Sequence, residues 1–332
     1  MKAPILGKVT LTDDLELRKQ IAEQAQLDAA TAATPAVRAF QFFLVPLLIV
    51  GACVLVYVLF SAVVINPRSP QDLLTDIKEG GPNTRPHAAL KLVEYLRRST
   101  QPDTSITPDI IALYRSTPPD APGKNSWMPG ASSHQLRICL LNCLGVLRDA
   151  RASDLLLEVV TKDENLELRT AGLDAIGAVK DPATLAALVK LLDDPNPVVR
   201  KYAAFNAGAV AEKSGAEASP AATEGLRRRL KDEKPDVGWN AAFALAWFLG
   251  DASGTDTLKK MLDRKYLGET IGNDPNADVL VARAMFTACN AAVKLKDPSF
   301  LPLLEGITDP ARERDVDVRY AAHEAIARIK AR

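Results

Sequence analysis

Two hydrophobic patterns divide this chain into an N-terminal and a C-terminal part. From Phe42 to Ile65 the sequence runs for 24 residues without a charged side chain. A helix of that length spans roughly 36 Å, which exceeds the hydrocarbon core of a bilayer, about 30 Å thick. The run is too long, and begins too far along the chain, for an export signal, whose apolar core is about 7–15 residues. The sequence therefore predicts one transmembrane helix over residues 40–65.

The residues on either side of this run set the predicted domain plan. Residues 1–39 form an N-terminal tail in which Leu11 to Ala33 has near-helical apolar spacing, and this predicts a short amphipathic helix. Residues 66–82 are assigned to a linker. Basic residues near the span are more numerous on its C-terminal side. Because basic flanks favour the inside, we expect a single-pass protein whose C-terminal domain is cytoplasmic.

Residues 83–332 repeat one helical pattern at a spacing of roughly 31 to 50 residues. In the clearest copy, Arg169 is followed by Gly177 and then by Asp181-Pro182, and the next copy begins at Arg200. Asp is a good N-cap and Pro is tolerated in a first turn, so the dipeptide separates two helices. Since neither helix buries its apolar face alone, the pairs must stack. The pattern predicts an all-α fold, an α-solenoid of about six helix pairs.

Small residues on the first helix of each pair explain how such pairs pack. In the copy that begins at Arg200, the side facing a neighbouring helix carries small residues only, which allows a close approach. These residues are Ala203, Ala204, Ala207 and Gly208. Gly238 and Met285 stand where other copies have arginine, and the spacing lengthens before each of them. These two departures predict inserted loops.

The Val-Arg-x-x-Ala-Ala pattern, as at 199–204, and the Asp-Pro turn resemble the HEAT repeat family. Within that family the closer resemblance is to its short bacterial, phycobilisome-lyase-like variant. The resemblance covers roughly residues 83–332. It implies a scaffold that binds peptides or proteins, and occasionally cofactors, without universal catalytic residues. A cofactor- or chromophore-handling, lyase-like protein is the alternative that the same resemblance suggests.

Charge and reactive residues argue against catalysis and nucleic-acid binding. The chain carries 41 basic and 41 acidic side chains, so it has no net field that would attract a polyanion. Its three histidines are far apart in a fold where each repeat contacts its neighbours, and they do not converge on one ion. Cys139 and Cys143 occupy small-residue positions and are expected to be buried thiols. We therefore expect no enzyme activity, no cofactor, no metal and no nucleic-acid partner.

Two segments are candidates for binding a protein partner. Trp127 and Met128 lie in a proline-rich loop, and exposed tryptophan is enriched at binding hot spots. The alternative is that Trp127 folds back to cap the solenoid. The second candidate is a basic cluster on the second helix of a pair, suited to an acidic peptide but also consistent with a solvated face. Its members are Arg227, Arg228, Arg229 and Lys231. Trp239 and Trp247, eight residues apart, are expected in the core.

These observations predict a non-catalytic, membrane-tethered scaffold or adaptor. Its anchor is the helix predicted over 40–65, and its solenoid presents a surface to a protein partner. Tethering raises the local concentration of the solenoid at the membrane, so a modest affinity suffices.

Overall fold

The computed structural model describes residues 11–31, 44–64, 69–119, 133–215 and 219–331. Over these ranges the regular secondary structure consists of α-helices and short 3-10 turns, and no β-strand occurs among them. The chain divides into two compact units, residues 1–67 and residues 68–332.

The first unit contains two helices, α1 (Leu11–Thr31) and α2 (Val45–Val64). Their described side chains, 15–29 and 46–59, are exposed. Over the described part of the chain, no helix is both long and apolar enough to cross a membrane. The transmembrane helix predicted over 40–65 is therefore not supported. Residues 40–43 and 65, and the side chains of 45 and 60–64, lie outside the described residues.

The second unit contains fifteen α-helices in the described ranges. They are α3 (Pro70–Glu79), α4 (Thr84–Arg98), α5 (Thr107–Ser116), α6 (Ser133–Leu147), α7 (Ser153–Lys162), α8 (Leu166–Val179), α9 (Leu185–Leu191), α10 (Pro197–Ser214), α11 (Ser219–Arg229), α12 (Pro235–Leu249), α13 (Thr255–Met261), α14 (Arg264–Ile271), α15 (Ala277–Leu295), α16 (Leu301–Ile307) and α17 (Val316–Lys330). Five 3-10 turns precede α5, α7, α9, α13 and α16; they are Thr104–Ile106, Ala150–Ala152, Pro182–Thr184, Ala252–Gly254 and Pro298–Phe300.

The helices of this unit form two layers. Helices α4, α6, α8, α10, α12, α15 and α17 each pack against the next, and we call this row the first layer. The helices between them pack beside it as the second layer. Six consecutive pairs run from α4 with α5 to α15 with α16, preceded by α3 and closed by α17. The prediction of an all-α helical repeat is confirmed.

Helix α3 lies inside the segment 66–82 that the sequence assigned to a linker. Its buried side chains are Leu73, Leu74 and Ile77, and they belong to the same hydrophobic core as α4. The helix begins with a capping box at Ser69, in which Asp72 and Ser69 exchange hydrogen bonds. This part of the segment therefore packs with the solenoid.

Close packing within the first layer depends on the small residues of α10. Ala203, Ala204 and Ala207 are fully buried. A Cβ atom added at Gly208 would lie 2.8 Å from the Cβ of Ala244 in α12. This separation is shorter than ordinary van der Waals contact, so only glycine permits the observed approach of the two helices.

Short polar side chains fix where each helix begins. Asn165 and Asn196 cap the first-layer helices α8 and α10 by accepting hydrogen bonds from backbone N–H groups of the first turn. Between the layers, an Asp accepts a hydrogen bond from the N–H group two residues later in all five of the 3-10 turns. These residues are Asp103, Asp149, Asp181, Asp251 and Asp297. Hydrogen bonds from Ser299 lower the pKa of Asp297, so this cap is ionised at neutral pH.

A row of ion pairs links consecutive repeats. An arginine on a first-layer helix contacts a carboxylate in the loop that leads to the next first-layer helix. The three pairs are Arg137–Asp163 at 3.1 Å, Arg169–Asp194 at 2.5 Å and Arg200–Asp232 at 2.9 Å. On α12 the row is interrupted, because Gly238 occupies the arginine position. Farther along, Arg264 of the inserted helix α14 pairs with Glu313 at 2.5 Å, in the loop before α17.

Helix α12 is shared between two hydrophobic cores. The N-terminal core extends from Leu73 to Leu245 and includes Ala241 and Ala244. The C-terminal core extends from Ala242 to Ile329 and includes Ala246. Because α12 buries apolar residues on two sides, it is the one helix of the described solenoid that contributes buried side chains to both cores.

Candidate functional site

An aromatic groove of about 600 Å³ opens across the first-layer helices α10, α12 and α15. Tyr202 and Phe205 of α10 and Trp239 and Phe243 of α12 line it. The chain has 18 aromatic side chains, 9 Phe, 6 Tyr and 3 Trp, and four of them line this one surface. Aromatic residues are therefore concentrated here. We refer to this feature as the aromatic groove.

Helical spacing explains why the aromatic side chains of α12 share a face. Trp239, Phe243 and Trp247 recur every four residues, and side chains at i and i+4 lie one above the other along a helix. The rings of Phe243 and Trp247 stack, with centroids 5.7 Å apart and planes 12° apart. Phe205 of α10 stacks against Phe243 on the other side, at 6.0 Å and 2°. The result is a stacked row that crosses from one repeat to the next.

This row is partly exposed. Phe205 is 40% exposed and Trp247 is 36% exposed, while Trp239 is half-buried in the groove. The expectation that both tryptophans lie in the core is therefore wrong for Trp247. The residues of α12 that do enter the cores are mainly alanine. Ala244 lies against Gly208 of α10 and Ala242 lies against Gly254, and both approaches are too close for larger side chains.

The inserted helix α14 closes one end of the aromatic groove. Its last residues, Thr270 and Ile271, line the groove, and its Tyr266 ring meets Trp239 edge-on at 6.4 Å. From the opposite wall, Leu280 and Ala284 of α15 add apolar surface. The lengthened spacing before α15 thus corresponds to a helix that shapes this surface.

Charged groups stand at the edges of the aromatic groove. Lys201 and Asp236 form an ion pair at 3.4 Å, which leaves neither charge free. Asp174 of α8 has no ion-pair partner among the residues that the structure describes. Partial removal of its carboxyl group from water raises the pKa of Asp174. Burial, followed by the charge of Asp174, raises the pKa of Tyr202. One edge of the groove therefore carries an unpaired carboxylate, and Arg283 of α15, which is exposed, also lines the groove.

A second groove, of about 670 Å³, lies along α4, α6 and α8. Arg97 and Arg148 line it, together with polar side chains that include Asn142. We call it the arginine groove. Asp174 lines this groove as well as the aromatic groove, so the two meet at that residue.

The basic cluster predicted from sequence is largely engaged in ion pairs. Arg227 contacts Asp251 at 2.5 Å, and Arg228 and Arg229 contact Asp193 at 3.7 and 3.1 Å. Lys231 is exposed. Because these carboxylates belong to the neighbouring repeats, the three arginines link repeats. Their binding of an acidic peptide stays a prediction. Trp127 and Met128, the other predicted site, lie outside the described residues.

The reactive residues are placed for packing. Cys139 and Cys143 are buried, as predicted, and burial raises the pKa of both thiols. Burial likewise raises the pKa of Cys289 to about 12, so none of the three is a thiolate at neutral pH. His134 is buried and contacts Glu167 at 2.6 Å. In the described ranges, no cluster of three or more His, Cys, Asp or Glu is arranged to hold a metal.

Comparison with family models finds a match over part of the repeat region. Residues 129–208 and 186–271 match the model for HEAT repeats. No curated protein sequence matches the chain significantly.

Solved structures with similar folds share little sequence with this chain. The complex of CpcE and CpcF of phycocyanin lyase from Nostoc sp. PCC7120 is 18% identical with a TM-score of 0.48, covering 80% of this chain and 96% of that one. The Escherichia coli protein YibA is 16% identical with a TM-score of 0.44, covering 80% and 93%. An engineered protein is 19% identical with a TM-score of 0.36, covering 80% and 97%.

Proposed function

We propose that this chain, which carries HEAT repeats over residues 129–271, is a non-catalytic scaffold that binds a protein partner through the aromatic groove. The observation that carries the proposal is the stacked row of Phe205, Phe243 and Trp247 on the first layer. Phe205 and Phe243 line the groove, and Trp247 continues the row beside it. Aromatic side chains are enriched in the centres of protein interfaces, and tryptophan is enriched at binding hot spots.

The stacked arrangement favours binding in two ways. Covering Phe205 and Trp247, both more than one-third exposed, removes apolar surface from water. Each ring is also held by its neighbours, so little side-chain freedom remains to be lost when a partner docks. Rigid aromatic groups with a small entropic penalty are effective anchors for a partner.

Site-specific crosslinking in intact cells tests this proposal. With a photoreactive phenylalanine analogue at position 205, we expect irradiation to join the chain to a discrete protein. Phe243→Ala should weaken this capture severalfold, because truncating a hot-spot residue costs about 2 kcal/mol or more of binding free energy. The measurement is the yield of the crosslinked product relative to the uncrosslinked chain.

A matched position outside the groove serves as the control. Tyr320 on α17 is an aromatic residue of the same layer and is 70% exposed. The same analogue at position 320 should give no such product. Equal capture at both positions, or capture at 205 that Phe243→Ala leaves unchanged, would show that the aromatic groove is not the binding surface.

A second candidate, the handling of a cofactor or chromophore by a lyase-like protein, is favoured by the volume of the groove. Sites for small organic ligands enclose about 300–1,000 Å³, and the aromatic groove encloses about 600 Å³. If a compound that absorbs visible light co-purified with the full chain and was lost from Phe243→Ala, this candidate would replace the first.

The proposal includes a tether to the membrane through residues 40–65, with the solenoid on the cytoplasmic side. It rests on the uncharged run from Phe42 to Ile65 and on the basic residues that follow it. We expect the chain to stay with membranes during alkaline carbonate extraction, and a variant lacking 40–65 to be released. Release of the intact chain by carbonate would argue against the tether. Degradation of the solenoid by protease added to intact cells would place it outside.

A further inference from the structure

Arg97 and Arg148 are two arginines that line the same groove. Most of the others that the structure describes contact a carboxylate or a backbone carbonyl, as Arg137 and Arg200 do. Within the described residues, Arg97 and Arg148 have no such side-chain partner, both are exposed, and both line the arginine groove. The lining of this groove holds two guanidinium groups and one carboxylate, that of Asp174, so its net charge is positive and it attracts an anion.

The two grooves differ in chemistry and are adjacent, because Asp174 lines both. The arginine groove offers two guanidinium groups, and the aromatic groove offers the stacked rings of Phe205 and Phe243. Asp174 lines both, so a segment that passes from one to the other crosses next to this carboxylate. A ligand that occupies both grooves therefore meets positive charge, then negative charge, then aromatic surface.

We propose that the partner docks through an extended segment with carboxylates at one end and aromatic or large apolar side chains at the other. The carboxylates lie against Arg97 and Arg148, and the apolar side chains enter the aromatic groove. Beside Asp174 the segment carries a neutral or basic residue, because a carboxylate at that point would be repelled. This inference rests on the proposed function, since it names the chemistry of the partner that the aromatic groove binds.

The different linings of the two grooves give the site a direction. Reversing the segment would place its apolar side chains against the hydrated guanidinium groups of Arg97 and Arg148. Its carboxylates would then face aromatic rings and a single exposed arginine, Arg283, because Lys201 is already paired with Asp236. Complementary charge attracts the correct orientation, while mismatched charge penalises the wrong one. A segment that is acidic throughout would likewise bind less well than one with a single acidic end.

Selection from a displayed library of random 12-residue peptides tests the inference. The bait is the full chain purified in detergent. We expect the selected peptides to be enriched in Asp and Glu at one end and in aromatic residues at the other. Against the double variant R97S/R148S, the aromatic enrichment should persist and the acidic enrichment should disappear. A selected peptide should bind this variant about 2- to 30-fold more weakly, the range for two solvent-exposed ion pairs.

A charge-reversed bait separates direct recognition from a structural role. The variant R97E/R148E should select peptides that carry Lys or Arg in place of the acidic end. Both arginines are exposed, so these variants should unfold at the same temperature as the unmodified chain.

Each remaining outcome has a distinct meaning. Aromatic enrichment without acidic enrichment would overturn the inference and leave the proposed function standing. Acidic enrichment that survives R97S/R148S would also overturn it, and would direct attention to the cluster at Arg227, Arg228 and Arg229. Enrichment of neither kind would overturn both the inference and the proposed function.

Discussion

Replacement of Asp232 by alanine should lower the free energy of unfolding by about 3–5 kcal/mol, the usual effect of leaving a buried charge without its partner. The side chain of Asp232 is 1% exposed and that of Arg200 is 7% exposed. Two parallel hydrogen bonds of 2.9 Å join them, from Nε and Nη2 of Arg200 to the two carboxylate oxygens. Without the carboxylate, Nε of Arg200 loses its acceptor, and the buried guanidinium group keeps only the carbonyls of Asp194 and Pro195 and the exposed carboxylate of Glu233. Urea denaturation followed by circular dichroism measures the loss.

An exposed ion pair provides the control for Asp232→Ala. Lys265 and Glu269 of α14 are 4.0 Å apart, with side chains 84% and 70% exposed. Glu269→Ala should change the unfolding free energy by less than about 0.5 kcal/mol, since pairs of this kind contribute little. If the two variants were equally stable, burial would not be what makes the Arg200–Asp232 link important.

Replacement of Phe300 by alanine should cost about 3–5 kcal/mol, the range for truncating a buried phenylalanine. Phe300 is the largest of the fully buried side chains in the described residues and belongs to the C-terminal core. Among the described helices, α12 is the one with buried side chains in both cores, so the effect should be confined to one end of the solenoid. Hydrogen exchange should become faster in α15 to α17 and stay unchanged in α4 to α8.

The control for Phe300→Ala lies on the neighbouring first-layer helix. Phe286 of α15 is 42% exposed, so Phe286→Ala removes less buried surface and should cost about 1 kcal/mol or less. Faster exchange along the whole solenoid in Phe300→Ala would show that the two cores unfold as one cooperative unit.

Local features of the sequence were sufficient to predict the helix pairs. The Asp-Pro turn at Asp181 acts within a few residues, and the small residues around Gly208 mark the packed side of one helix. Both signals depend on neighbouring positions in the chain, so they can be read without the tertiary structure. The burial of Cys139 and Cys143 followed from the same periodicity.

The aromatic groove depends on residues from separate repeats and could not be predicted in the same way. Phe205 and Phe243 stack although they belong to different first-layer helices. The eight-residue spacing of Trp239 and Trp247 indicates one helix face, but not whether that face is turned to the core or to solvent. Which side is covered depends on the adjacent repeats.

Long-range partners also explain the outcome for the basic cluster. Arg227 to Arg229 form a conspicuous run in sequence, whereas their carboxylate partners, such as Asp193 and Asp251, lie in adjoining repeats. The pair Arg264–Glu313 spans 49 residues and had no sequence signal. A charge run shows how many charges are present, and only the fold shows which of them are neutralised.

The caps at Asn165 and Asn196 have a consequence for how this chain can change in length. They begin two consecutive first-layer helices at equivalent points, and each helix carries an arginine that pairs with the following loop, Asp194 for Arg169 and Asp232 for Arg200. A duplicated copy of residues 165–195 would meet the same cap and the same pairing chemistry at both of its junctions. Gene segments that encode such units can be duplicated or deleted whole. The number of repeats in the solenoid can therefore change while the contacts between neighbouring repeats stay the same.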